Sequence, residues 1–351
     1  MKSNVCGWGR SLLRVSVLGA ALLAACGGGE QAETFRANRL IAFGDETSVI
    51  NPDGSKYSVN AVQTADNTKL DCSSNAIWIQ TVGSVYGLVF PECNLLPVAN
   101  PVSRNYAAPG VRAADIGAQI DLKLAADAFT EKDMVTMLVG ANDILAQYAQ
   151  YPGVSAADLE ANVEAAGAVL AAQVNRIANL GAKVLLSTAP DMGFTPYAVT
   201  EDAANPGRAA LLSRLTDRFN AKLRANIMND GRKIGLIKLD EYVVAVVKAR
   251  LAGGGTFVNT TLPACLPSAP LPACTTLTLG TNAAAVPPPT TPTAADGVTW
   301  LWSDATHLSA GGQVGRAKAI RDRPGIRKRA ESRTGRIVSV EDGRLGDAFV
   351  D

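Results

Sequence analysis

Apolar positions in this chain recur with two different periods. Leu40–Phe43 is a short apolar run before Gly44. Met134–Val139 is a second, ending at Gly140. Lys183–Ser187 is a third, before Ala189-Pro190-Asp191, and Ile234–Leu239 a fourth, before Asp240. Runs this short and this apolar predict strands covered on both faces, as in a parallel sheet. Between them the spacing becomes helical. Leu159, Val163, Leu170, Val174 and Ile177 share one face between Ser155 and Leu180. Ser155 with Asp158 predicts the N-terminal cap of that helix and Gly181 its stop. Leu212, Leu215, Phe219, Leu223 and Ile227 predict a second helix from about Gly207 to Asn229, with Gly231 after it. Residues 75–88 and 240–251 predict two more. Strands alternating with helices predict an α/β layered domain, and no internal repeat interrupts the alternation.

Three segments fall outside this pattern. Eight of the 18 prolines lie between Pro263 and Pro292, so residues 252–299 predict a long irregular insertion. It is either a surface loop or a lid that shapes a substrate site. Residues 316–336 carry nine Lys/Arg against two acids, and Pro324 interrupts any helix there. This tail, 316–351, reads as a basic arm or as the product of a reading-frame change, which leaves open whether 314–351 is the native C-terminus. At the other end, Lys2, Arg10 and Arg14 precede an apolar stretch from Val15 to Ala25, too short for a stable membrane span. Residues 1–25 therefore predict a secretory signal.

Composition narrows the class. A chain of 351 residues with 47% apolar content can bury a full core, and we assign one domain to residues 37–315. The net charge of +1 gives no global field for nucleic acid. If Cys6 leaves with the signal and Cys26 is modified, Cys72, Cys93, Cys265 and Cys274 remain. An even number in an exported chain favours disulfides. Four cysteines allow three pairings, of which proximity favours Cys72–Cys93 and Cys265–Cys274. Zinc is the alternative, but no two cysteines are close in sequence and His307 is the one histidine, so we expect no metal.

Four blocks carry candidate chemistry. They are Phe43-Gly44-Asp45-Glu46, Asn105-Tyr106-Ala107-Ala108-Pro109-Gly110, Gly140-Ala141-Asn142-Asp143-Ile144, and Ser303-Asp304-Ala305-Thr306-His307-Leu308 behind a strand-like Thr299-Trp300-Leu301. In this order they resemble the blocks of the SGNH/GDSL esterase-lipase family across nearly the whole chain. The resemblance implies a three-layer α/β/α domain with a central parallel sheet, the flavodoxin-like SGNH-hydrolase fold. It implies cofactor-free hydrolysis of carboxylic esters, whether small esters, lipids or acylated glycans, by a monomer. It assigns His307 as base and Asp304 as the group that orients it. It also assigns the oxyanion donors: the N–H groups of position 46 and Gly110, and the Asn142 side chain. Leu23-Ala24-Ala25-Cys26 before Gly27-Gly28-Gly29 is similar to a bacterial lipobox. It implies lipidation at Cys26, a tether over 26–36 and attachment to a membrane. The absence of Asp after Cys26 favours the outer one. An ordinary signal peptide with a coincidental cysteine is the alternative.

Position 46 departs from the family. A glutamate stands where the block is usually Gly-Asp-Ser. Three readings follow: Glu46 is itself the nucleophile or activates water, Ser48 or Thr47 replaces it, or the protein is an inactive relative that binds glycan or lipid.

Overall fold

The computed structural model of the chain describes residues 35–313, apart from 96, 282 and 284–292. The signal segment, Cys26, the 26–34 part of the tether and the 316–351 tail lie outside the described residues. Among them, five strands form one parallel sheet: β1 (Arg39–Gly44), β4 (Arg104–Asn105), β5 (Asp133–Leu138), β6 (Lys183–Ser187) and β7 (Ile234–Ile237). β2 (Ala61–Val62) and β3 (Leu70–Asp71) make a separate antiparallel pair. The sheet order is β4-β1-β5-β6-β7, the flavodoxin-like order in which the chain reverses direction across the sheet between β1 and β5. Such a reversal leaves a crevice at the carboxyl ends of the two flanking strands. In register, Leu40 pairs Met134 and Gly44 pairs Leu138, so both strands end together.

Helices cover both faces. α1 (Trp78–Val85) and α7 (Leu239–Leu251) pack on one side, where Leu40, Ala42, Ile79, Val82, Leu239 and Val243 form a buried cluster. α2 (Ile116–Ala126), α3 (Ala141–Tyr148), α4 (Ala156–Asn179), α5 (Pro196–Ala204) and α6 (Arg208–Asn226) belong to the other. There Ile41, Phe43, Val135, Leu170, Val174, Leu215 and Phe219 are buried together. The architecture is the expected three-layer α/β/α. Ser155 caps α4 as expected, its hydroxyl accepting the Asp158 N–H at 3.2 Å.

Several features differ from the sequence reading. The helix expected over 75–88 is shorter, Trp78–Val85. The fourth strand ends at Ile237, and Leu239 begins α7, because the Thr188 hydroxyl at the end of β6 accepts the Leu239 N–H at 2.8 Å and starts the helix early. α6 stops at Asn226, where the Asn175 side chain takes the Met228 N–H at 2.7 Å and turns the chain away. The proline-rich segment is not irregular throughout. Within it β8 (Asn259–Pro263) pairs in parallel with β9 (Trp300–Trp302), the strand expected before the histidine block. That pair stands apart from the main sheet. Val59, Ala264, Cys265, Cys274, Ala295 and Trp300 form a small core of their own. Both proximity-favoured disulfides are present, Cys72–Cys93 and Cys265–Cys274.

Candidate active site

Two glycines shape the crevice at the sheet reversal. Gly44 ends β1 at φ +138°, and a Cβ there would meet the Leu138 carbonyl oxygen at 2.1 Å. Gly140 follows β5 at φ +132°, with the Phe219 ring 2.6 Å from where its Cβ would be. Only glycine tolerates this backbone against such close neighbours. Gln119 on α2 fixes the first turn: its side chain accepts the Gly44 N–H and donates to the Gly44 carbonyl, both at 2.9 Å. Asp45 then caps a 3₁₀ turn, Glu46–Ser48, accepting the Thr47 N–H at 3.0 Å. The turn delivers Glu46 to the cleft.

The other groups arrive from three more elements. Asp304 takes the N–H groups of Thr306 and His307 at 2.8 and 2.7 Å. That turn is why an Asp-x-x-His spacing brings the two side chains face to face. His307 Nδ1 lies 2.8 Å from Asp304 Oδ2, and its Nε2 lies 3.0 Å from Glu46 Oε1. Glu46 Oε2 accepts the Gly110 N–H at 2.8 Å and the Asn142 amide at 3.0 Å. Thus Glu46, His307 and Asp304 form one line, and the two donors meet on the same carboxylate. Thr47, Leu138, Leu145, Pro190, Leu239 and Leu308 wall the cleft, which is largely apolar apart from the charged line.

Electrostatics follow from this packing. Burial favours a neutral Glu46, but hydrogen bonds from His307, Gly110 and its own backbone outweigh it and hold the carboxyl down at about 2. Burial disfavours charge on His307, yet hydrogen bonds to Asp304 and Glu46 push it up to about 10. Asp304 is penalised by burial and held below the usual carboxylate value by His307. Near neutral pH the line therefore reads carboxylate, imidazolium, carboxylate. Asp45 is fully buried, and burial together with the charge of Glu46 raises its carboxyl.

A family model described as GDSL-like Lipase/Acylhydrolase matches residues 78–320, more than half of the chain. The chain belongs to this family. The GDSL-like match starts after the Gly44-Asp45-Glu46 block and includes Gly110, Asn142, Asp304 and His307. The chain is also similar to solved structures at low identity. An acetyl xylan esterase, AlAXEase, is 14% identical with a TM-score of 0.40, over 80% of this chain and 97% of that one. TesA is 20% identical with a TM-score of 0.30, over 62% and 87%. A lipolytic G-D-S-L family protein from Veillonella parvula is 14% identical with a TM-score of 0.32, over 63% and 87%. No curated protein matches the chain.

Within this GDSL-like site the structure brings together Glu46, Gly110, Asn142, Asp304 and His307, and leaves out Ser48. The Ser48 side chain is fully buried, and its hydroxyl accepts the Trp78 indole N–H at 3.0 Å. It lies two residues beyond Glu46 in the 3₁₀ turn, short of a full turn, so its side chain is directed at Trp78 of α1 and not at His307. Thr47 does line the cleft. The proline-rich segment contributes no lining residue among those described. It braces the histidine turn from behind, the Cys265 N–H donating to the Ser303 carbonyl at 2.8 Å. Asp143 supports the loop beside the site, its carboxylate accepting the Ala113 N–H at 3.0 Å. Gln119 escaped the sequence reading. The buried face of α2 mixes Ile116 and Ile120 with Gln119 and Lys123, so no apolar stripe marked the helix.

Proposed function

We propose that this chain is an exported, lipid-anchored, monomeric protein of carboxylic-ester-hydrolase type in which Glu46 stands in the nucleophile's place. Its substrates would be small acyl esters, lipids or acylated glycans, and Cys26 would carry the anchor, in the outer membrane. The observation that supports the reading is the Glu46–His307–Asp304 line with Gly110 and Asn142 on one carboxylate. A family of ester hydrolases supplies the chemistry.

An ionised Glu46 needs no base to act as a nucleophile. A hydroxyl needs a neutral imidazole to take its proton, whereas Glu46 is already ionised. Attack of Glu46 Oε1 on the ester carbonyl forms a mixed anhydride and breaks the ester C–O bond. The departing alkoxide takes the proton of His307 Nε2. His307, now neutral, deprotonates a water that attacks the anhydride. The acid leaves, and Glu46 and the imidazolium are restored.

One observation favours a second reading, a silent relative that binds glycan or lipid. The donors that a substrate carbonyl would need are already engaged by Glu46, and each lost oxyanion donor costs about 10²–10³ in rate. Hydrolysis of p-nitrophenyl acetate and butyrate by the natural protein, Glu46→Ala, Glu46→Ser and His307→Ala separates the two. Activity lost in both alanine variants is the expected result for carboxylate chemistry. A silent natural protein awakened by Glu46→Ser establishes the second reading. Hydrolysis unchanged in Glu46→Ala removes Glu46 from the mechanism.

A further inference from the structure

Glu46 sits in its site as a carboxylic acid product would. In ester hydrolysis over such a constellation, the acyl product ends with one oxygen among the oxyanion donors. Its other oxygen, taken from water, ends against the imidazole. Glu46 Oε2 is at 2.8 Å from the Gly110 N and 3.0 Å from the Asn142 amide, and Oε1 is 3.0 Å from His307 Nε2. The side chain has the length for this. Its carboxyl carbon stands as many bonds from Cα as the carbonyl carbon of an acylated serine. The surroundings suit a short aliphatic acid, with Leu138, Leu239 and Leu308 on the wall and Asn142 and His307 as the polar donors.

We propose that this site binds small aliphatic monocarboxylates and that Glu46 is its tethered occupant, holding the place of a free carboxylate in the natural chain. The proposal rests on the reading of the cleft as an ester site, and it makes or breaks no bond. A short tether gives effective concentrations of millimolar or above. External carboxylate therefore competes poorly while Glu46 is in place, and free acyl products do not accumulate on the protein. Shortening the side chain opens the site.

His307 is the one histidine of the chain, so its imidazole signals in NMR report on the site without ambiguity. The groups facing it are Glu46 and Asp304 by hydrogen bond, Asp45 by charge, and Tyr57 with ring centroids 6.5 Å apart. Titrations of the natural protein, Glu46→Ala and Glu46→Gln would be followed with sodium acetate and with chloride at matched ionic strength. In Glu46→Ala the His307 midpoint is expected to fall, and acetate, not chloride, to raise it again in a saturable way. In the natural protein and in Glu46→Gln the site is filled, and acetate is expected to shift nothing over the same range. If acetate leaves the His307 signals of folded Glu46→Ala unmoved, or shifts those of the natural protein equally, the proposal is overturned. If Glu46→Ala fails to fold, Glu46→Ser carries the same titration with the same two outcomes. The result is separate from the hydrolysis assay. A natural protein that cleaves nothing, with a Glu46→Ala variant that binds acetate, keeps this proposal and removes the ester-hydrolase reading. A natural protein that hydrolyses esters, with a Glu46→Ala variant that ignores acetate, does the reverse.

Discussion

A carboxylate, an imidazolium and a second carboxylate in one line make the cleft a pH-sensitive element of stability. Glu46 is lowered to about 2 in the folded chain, below its ordinary value, so its contribution is present above about pH 4.5 and is lost as pH falls through 2. His307 is raised to about 10, so its contribution is complete below about pH 6.5 and is lost as pH rises through 10. Both terms are full only between those ordinary values. Asp45 works the other way, because burial and the nearby Glu46 charge raise its carboxyl and make its ionised form a cost. Losing one partner of a buried pair costs up to about 3–5 kcal/mol. His307→Ala should therefore lower the thermal midpoint most at pH 5–6, with the gap to the natural protein closing as pH rises through 10. Paired melting curves from acidic to alkaline pH check this. A gap that widens toward alkaline pH would mean that His307 is neutral in the folded chain.

The oxyanion side is assembled by an element contact and not by one side chain. The start of α3 grips the loop that carries Gly110: Asn142 donates to the Val111 carbonyl at 3.1 Å, and Asp143 accepts the fully buried Ala113 N–H at 3.0 Å. Removing the acceptor strands a buried donor, at about 1–3 kcal/mol. Asp143→Ala should thus lose about that much stability in urea unfolding, with Asp143→Asn recovering most of it through its side-chain carbonyl. Equal losses in both variants would point to the charge of Asp143 instead of its acceptor role. The strands feeding these turns were legible because β1, β5 and β6 are buried on both faces and so almost purely apolar. β4 was not, since two residues, Arg104 and Asn105, carry no pattern. α2 was missed because Gln119 and Lys123 are buried in it: one pins Gly44 and the other reaches the Asp127 and Ala128 carbonyls. The Asp-x-x-His pair was legible because its geometry is local. The direction of Ser48 was not, because it depends on Trp78, 30 residues away.

At the scale of the whole molecule, the two disulfides fasten different parts: Cys72–Cys93 brackets α1 of the layered core, and Cys265–Cys274 belongs to the small separate core. The loop closed by Cys72–Cys93 spans 21 residues and that closed by Cys265–Cys274 spans 9. Chain entropy assigns about 3 kcal/mol to a 15-residue loop and rises slowly with length, so the first bond should contribute slightly more than the second. Their places differ more than their energies. Cys265 donates its N–H to Ser303, the residue before Asp304, and the Cys274 carbonyl accepts from Asn60. Cys72 instead gives its carbonyl to Lys56 and Gln80, and no hydrogen bond links it or Cys93 to the histidine turn. Cys265→Ser with Cys274→Ser should therefore shift the His307 imidazole signals, because the support behind Asp304 loosens. Cys72→Ser with Cys93→Ser should lower the urea midpoint at least as far and leave those signals in place. Histidine NMR on both double variants under native conditions decides between a staple of the site and a staple of the scaffold. If the His307 signals move equally in both, the proline-rich segment is only scaffold, and its contact with Ser303 does not position the histidine.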